Sequence, residues 1–270
     1  MLEKIERRLV AAAEAVVRSP STGDAHTVAA AAMDANGDIY SGVNVFHFTG
    51  GPCAELVVIG SAAAANAPPL ITIVAVGDGD RGVIAPCGRC RQVMLDLHPD
   101  VFVIVPTGDG QLAAKPVREL LPFGYVARTG STAPRVVYFH PRHYDTISSG
   151  LKTATVRFQD SVQTGPAVFV FDDGESIRRL DAVVEKVESR RLDHLTEEDA
   201  HHEALPDSDA LRDAIKTQYP MLGDGDVVDV ATFRLTAISA PDPDPRSSYP
   251  PAVSRCNPAG PRADLLVGQS

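Results

Sequence analysis

Two short stretches constrain this chain more tightly than anything else in it. The first, "GGPCAELVVIG" at Gly50–Gly60, sets Cys53 two residues before Glu55 at the head of an apolar run. The second, "APCGRCRQ", carries Cys87 and Cys90 three positions apart. The 270 residues hold only 4 cysteines, so these three are most of the supply. Three are too few for a disulfide framework, but they suffice to hold a zinc ion with one coordination position left open. A fold for this chain must then bring the two stretches together in space.

The rest of the composition fits an intracellular enzyme. No apolar run is long enough to span a bilayer. The opening "MLEKIERRLVAAAEAVVRS" mixes charges of both signs, unlike the basic-then-apolar layout of a signal peptide. It reads as an amphipathic helix with Ile5, Leu9, Ala13 and Val16 on one face. The chain is expected in the cytoplasm, where clustered cysteines point to metal before disulfide. A formal net charge of −10 speaks against a general binder of phosphate backbones.

The order of elements suggests two units. "TVAAAAMDANGDIYSGVNV" reads as two strands joined at Asn36-Gly37. "CAELVVIGSAAAAN" reads as a helix, "LITIVAVG" as a buried strand, "APCGRCRQVMLDL" as a helix after Pro86, and "VFVIVP" as a strand. A turn at Gly108–Gly110 and "VRELLPFGY" close this α/β unit over residues 1–128. A linker at 129–135 follows. Short strands at "VVYF", "TATVRF", "AVFVFDD", "LDAVVEKVES" and "DVVDVATFRL", with one helical block before the last, predict a small β-barrel over 136–240. Residues 241–270 form a proline-rich tail, expected to be disordered, with Cys256 an uninvolved thiol.

Cys53, Cys87 and Cys90 are the candidate zinc ligands. Helix starts favour the thiolate form, because unpaired N–H groups stabilise negative charge there. Zinc lowers the pKa of a bound water, and Glu55 is placed to carry protons between water and substrate. The set C-x-E with P-C-x-x-C matches the layout of zinc nucleobase deaminases. The alternative is a closed structural site, for which His47 is the nearby fourth ligand. Arg89 and Arg91 flank Cys90, and either could offset the thiolate charge.

"GVNVFHFTGGPCAELVVIG", "PCGRCRQVMLDLHP" and "RELLPFGYV" together resemble the cytidine deaminase family, nearest its blasticidin-type branch. The resemblance implies a three-layer α/β/α fold, catalytic zinc on the three cysteines, Glu55 as proton carrier and Asn44 at the sugar. It also implies a homo-oligomer, dimer or tetramer. Where ordinary members have a ribose-gripping glutamate, this chain has Phe46 at the substrate position.

The string "HYDTISSGLKTATVRF" resembles the ASCH domain, a PUA-like barrel, over residues 134–240. Some small ASCH proteins remove the acetyl group from N4-acetylcytidine. That resemblance implies catalytic roles for Lys152, Thr155 and Glu203. Strand alternation puts Lys152 and Thr155 on opposite faces, so a bend near Gly150 must bring them together. Combined, the two resemblances imply deacylation of an N4-acylated cytosine nucleoside followed by deamination. The competing readings are a barrel that binds RNA, with Arg157, Arg178 and Arg179 as a patch, and a deaminase for nucleoside antibiotics.

Overall fold

The structure is a computed structural model that describes residues 2–19, 24–125, 134–160 and 162–236. Residues 129–133 of the expected linker, the expected tail at 241–270 and its Cys256 lie outside the described residues, while Arg135 of that linker already begins a strand.

The front half opens with α1 (Lys4–Val17), which buries Ile5, Leu9, Ala13 and Val17; Val17, not Val16, completes the stripe. The hairpin β1 (Val28–Asp34) and β2 (Ile39–Val43) turns at Gly37, whose φ of +85° suits glycine. Asp34 holds that turn from inside. Its buried carboxylate accepts from the Asn36 and Asp38 amides at 2.8 and 3.1 Å and from the Tyr40 hydroxyl at 2.9 Å. Then come α2 (Ala54–Ala64), β3 (Leu70–Gly77), β4 (Gly82–Ile84), α3 (Gly88–Leu97), β5 (Phe102–Pro106), β6 (Leu112–Pro116) and α4 (Val117–Leu120). The sheet order is β2-β1-β3-β5-β6, with β4 paired on β3.

Alternation along β1 explains its run of alanines. Ala29, Ala31 and Met33 meet α1 on one face, while Ala30 and Ala32 meet α2 and α3 on the other. A strand covered by helices on both sides has no polar face to show. This is the expected three-layer α/β/α sandwich. The strands β4 and β6 had no sequence signal: β4 is only three residues long, and β6 has no β-branched residue.

The rear half contains β7 (Arg135–Phe139), α5 (Tyr144–Ser148), β8 (Ala154–Arg157), β9 (Gly165–Asp172), β10 (Ile177–Arg191), α6 (Glu197–His202), α7 (Ser208–Gln218) and β11 (Val227–Leu235). The strand order β7-β9-β10-β11-β8 forms a curled half-barrel around Phe139, Phe169, Phe171 and Phe233. No described ladder joins β7 to β8. The Arg157 guanidinium bridges that seam instead, donating to the Tyr138 carbonyl at 2.6 Å. The single helical block anticipated before β11 is two helices. Pro206 separates them, and Thr196 and Asp207 cap their starts.

The halves share a core. Val136, Val168 and Val170 pack in one cluster with Leu9, Ile71 and Val74. Asp100, just before β5, accepts from Arg135 at 2.7 and 2.6 Å and from the Val136 amide at 3.0 Å. The buried Tyr138 hydroxyl lies 3.2 Å from the Asp100 carbonyl.

Candidate functional site

Both zinc-ligand stretches become helix starts. Cys53 is the N-cap of α2, and Cys87 is the N-cap of α3 with Cys90 inside its first turn. Neither N-cap sulfur is taken up by a capping hydrogen bond, though the Cys87 sulfur is influenced by the Arg89 and Cys90 amides of its helix start. Gly51 lets the preceding loop close up: a Cβ there would lie 1.8 Å from the Val45 carbonyl oxygen.

The three sulfurs lie within 4.8 Å of one another. Cys53 and Cys87 are 3.9 Å apart, and Cys87 and Cys90 are 3.5 Å apart. Thiolates on tetrahedral zinc stand about 3.8 Å apart, given Zn–S bonds of about 2.3 Å. The donor set is soft and zinc-like, and the geometry fits. Among the described residues His47 is not part of the cluster; its Nδ1 sits 2.6 Å from the Thr49 hydroxyl. The closed four-ligand alternative therefore lacks its histidine.

Glu55 lies in the first turn of α2 and is only 5% exposed. It makes no hydrogen bond or ion pair among the described residues. Burial and then the Glu55 carboxylate push the Cys90 thiol up, which places that carboxylate close to the sulfurs. For Cys87 the upward push of burial is outweighed by the Cys90 and Arg89 N–H groups and the neighbouring thiols, so its thiol is pulled down. These amides are the helix-start donors anticipated for a thiolate.

Of the two flanking arginines, Arg91 is tied into the loop. Its guanidinium donates to the Pro86 and Leu120 carbonyls at 2.8 and 3.0 Å, bracing the Cys87 turn against α4. Arg89 is exposed. Asn44 is anchored: its Oδ1 accepts from the Val28 amide at 2.8 Å, leaving its amide hydrogens to face outward ligands. Phe46 is 72% exposed.

The rear half assembles a second cluster. Gly150, with φ +76°, turns the chain before Lys152, and β8 begins only at Ala154. The bend required near Gly150 is thus present. Lys152 is 3% exposed and forms an ion pair with Glu203, which caps the C-terminus of α6. The other Glu203 oxygen accepts from the Val156 amide at 2.6 Å, next to Thr155. Lys152, Thr155 and Glu203 line one cleft of about 960 Å³, located along the β7–β8 seam. The Thr155 hydroxyl makes no hydrogen bond among the described residues.

Burial pushes Lys152 down to about 7, helped by the positive charges of Arg157 and Arg142. The Glu203 carboxylate pulls the other way. The downward direction prevails because one carboxylate faces near-complete burial and two guanidinium groups. The same surroundings hold His143 down at about 4, again chiefly through burial.

Sequence reasoning missed three contributors. Thr153 and His202 meet at 2.7 Å (Oγ1 to Nδ1), so residues 152–153 dock pairwise on 202–203. Arg142 enters the cleft from the turn after β7, with no motif to mark it. Arg157 belongs to the recognised string, yet its role as seam bridge depends on β7. The expected patch of Arg157, Arg178 and Arg179 is not a free cationic surface. Arg157 pairs with Asp160, Arg178 stacks 4.0 Å over Tyr144, and Arg179 pairs with Asp181 at 3.4 Å.

Comparisons with known proteins agree with the front-half site. Residues 3–105 match the cytidine and deoxycytidylate deaminase zinc-binding region. The blasticidin-S deaminase of Bacillus cereus is 37% identical over 109 residues, covering 37% of this chain and 77% of that protein. A cytidine deaminase structure from Burkholderia pseudomallei is 32% identical, covering 44% of this chain and 98% of that one, with a TM-score of 0.37. An ASCH domain structure from Lactobacillus crispatus is 16% identical over 37% of this chain and 77% of its own, with a TM-score of 0.30. With its three-thiolate zinc centre and buried Glu55 at one end of the sheet sandwich, this chain belongs to the cytidine deaminase family of zinc-dependent hydrolytic deaminases.

Proposed function

We propose that the front half deaminates a cytosine nucleoside and that the rear cleft removes an N4-acyl group from the same base beforehand. The observation that carries the pairing is the rear cluster. Lys152, Thr155 and Glu203 come from two distant segments, and the fold sets them in one cleft.

At the front, Cys53, Cys87 and Cys90 would hold zinc, which supplies a water of lowered pKa. Glu55 would move one proton from water to the ring nitrogen as the water oxygen adds to the amine-bearing carbon, then take the second proton from that oxygen and hand it to the departing amine as the carbon–nitrogen bond breaks. The net change is water added and ammonia released. Asn44 orients the sugar. Phe46, in the position where a ribose-gripping carboxylate would sit, supports a substrate other than plain cytidine, such as a deoxynucleoside or an antibiotic analogue. Exposed Phe46, Phe48, Phe123 and Tyr125 are apolar surface that a second copy of the chain would cover, supporting a homo-oligomer.

At the rear, Lys152 with its lowered proton affinity takes the Thr155 proton, and the hydroxyl oxygen attacks the acyl carbonyl. The C–N bond to the base breaks, the amine leaves protonated, and water then releases the acyl group as a carboxylate. Glu203 orients Lys152 through their ion pair.

The test is incubation with N4-acetylcytidine and separation of the products. Wild type should yield uridine, Glu55→Ala should accumulate cytidine, and Lys152→Ala should leave the acetyl group in place. If wild type deaminates cytidine but never cleaves the acetyl group, the rear reading is wrong.

A further inference from the structure

The rear cleft carries a charge that its proposed nucleoside substrate does not explain. The chain as a whole has a formal net charge of −10. The residues lining the cleft do not share that excess: four arginines stand beside four carboxylates, and Lys152 adds a fifth cationic group only while it keeps its proton. The carboxylates are already engaged. Glu203 holds Lys152, and Asp160 holds Arg157. Asp100 is shared by Arg118 at 2.9 Å and Arg135 at 2.6 Å, so one negative charge meets two positive ones. Glu119 faces Lys115, which is outside the cleft, at 3.6 Å.

Arg142 is left over. It is exposed on the cleft wall; its backbone N–H donates to His140 Nδ1, and its guanidinium's only hydrogen bond among the described residues is a donation from Nε to His143 Nε2 at 3.2 Å. Among the described residues no carboxylate pairs with it. His143 is neutral at ordinary pH, so it does not compensate. Four of Arg142's five N–H donors remain free at the mouth of a concave site. An unpaired guanidinium beside a cavity is a receptor for an anion, and its fork matches phosphate oxygens.

We propose that the rear cleft takes a phosphorylated substrate, an N4-acylated cytosine mononucleotide, with Arg142 as the phosphate-binding residue. This rests on the amidohydrolase reading of Lys152, Thr155 and Glu203, and a phosphate-removing reaction must then act on the deacylated mononucleotide before the front half deaminates the nucleoside. The cleft volume of about 960 Å³ lies near the top of the range for small-molecule sites, with room for a nucleotide and its acyl group. Phosphate could also be presented by an RNA strand. The acidic chain repels a long polyanion, whereas a single phosphate can be satisfied inside the cleft, so the mononucleotide is the favoured source.

The experiment compares deacylation of N4-acetylcytidine, its 5′-monophosphate and a short oligoribonucleotide carrying one N4-acetylcytidine. Wild type, Arg142→Gln and Arg142→Lys are used, with equilibrium binding of each compound measured in parallel. For wild type, kcat/KM for the mononucleotide should exceed that for the nucleoside by about 10- to 100-fold, the value of one charge-assisted phosphate contact. Arg142→Gln should erase that advantage, read as the ratio of kcat/KM for mononucleotide and nucleoside within each variant, because losing the Arg142 charge also tightens the hold of Lys152 on its proton and slows both substrates alike. Arg142→Lys should keep part of it, and added salt should weaken it. If no compound is deacylated but the mononucleotide still binds more tightly than the nucleoside, and Arg142→Gln abolishes the difference, the anion site stands and the amidohydrolase reading falls. Equal kcat/KM and equal binding of nucleoside and mononucleotide overturn the proposal, as does an Arg142→Gln effect that is the same for both. A preference for the oligonucleotide over the mononucleotide overturns it in favour of RNA.

Discussion

The candidate sites at the two ends of this molecule are built by opposite means. At the front, a metal held by three sulfurs would activate water, and the protein's part is to align two helix starts and hold Glu55 beside them. At the rear, Lys152 is pressed into a dry wall next to two arginines until its proton is loosely held. The first device needs few residues but an ion; the second needs no ion but an extensive fold around one lysine. The contrast teaches that the two proposed reactions, each splitting a carbon–nitrogen bond with water, would place different demands on a chain.

The largest expected effect tests whether the two devices are independent. Glu55→Ala should lower deamination by about a thousandfold, the scale of losing a positioned proton carrier, while deacylation and zinc content hold steady. A parallel loss of deacylation would merge the two sites into one. Next comes metal removal. Chelation, or Cys90→Ala, should abolish deamination, while the Lys152 cluster, on separate elements, keeps its rate if the shared core stays intact. Thermal unfolding of the metal-free protein, read beside the rear activity, checks this directly.

Glu203→Gln should cut deacylation about a hundredfold. It should also destabilise the fold by about 3 kcal/mol, the low end for breaking a buried pair, because Lys152 can shed its proton instead of remaining charged and unpaired. Denaturant melts measure it. The pH dependence is a further discriminator. Lys152 is lowered from 10.5 to about 7, so deacylation should rise with pH through about 7. Between about 7 and 10.5 the unfolded chain binds the extra proton, so this group makes stability rise with pH across that window. Activity and melting profiles with Lys152→Met as control test both signs. The smallest effect belongs to the exposed pair Lys4–Glu175, which links α1 to the turn before β10. Lys4→Ala should change stability by less than about 0.5 kcal/mol.

Legibility in the sequence differed between the two ends for a physical reason. Cys53, Glu55, Cys87 and Cys90 stand in two local patterns, and a helix start fixes where such side chains point. A layered α/β order could be read from strands alternating with helices, and the three layers came from the family resemblance. At the rear, the string around Lys152 and Thr155 was visible, but strand alternation alone set them apart. Only the positive φ of Gly150 and the delayed start of β8 reconcile them. Arg142 and His202 had no signal because their roles depend on which strand and helix lie opposite.

Sequence by itself determined the metal, its three ligands, the acid beside them and the layering of the front half, because each is set by local spacing and backbone geometry. Tertiary structure alone decided the open seam between β7 and β8, the cleft along it, the depressed affinity of Lys152 for its proton and the unpaired charge of Arg142. These depend on burial and on charges brought together from remote segments, and neither desolvation nor an electric field can be read from neighbours in a chain.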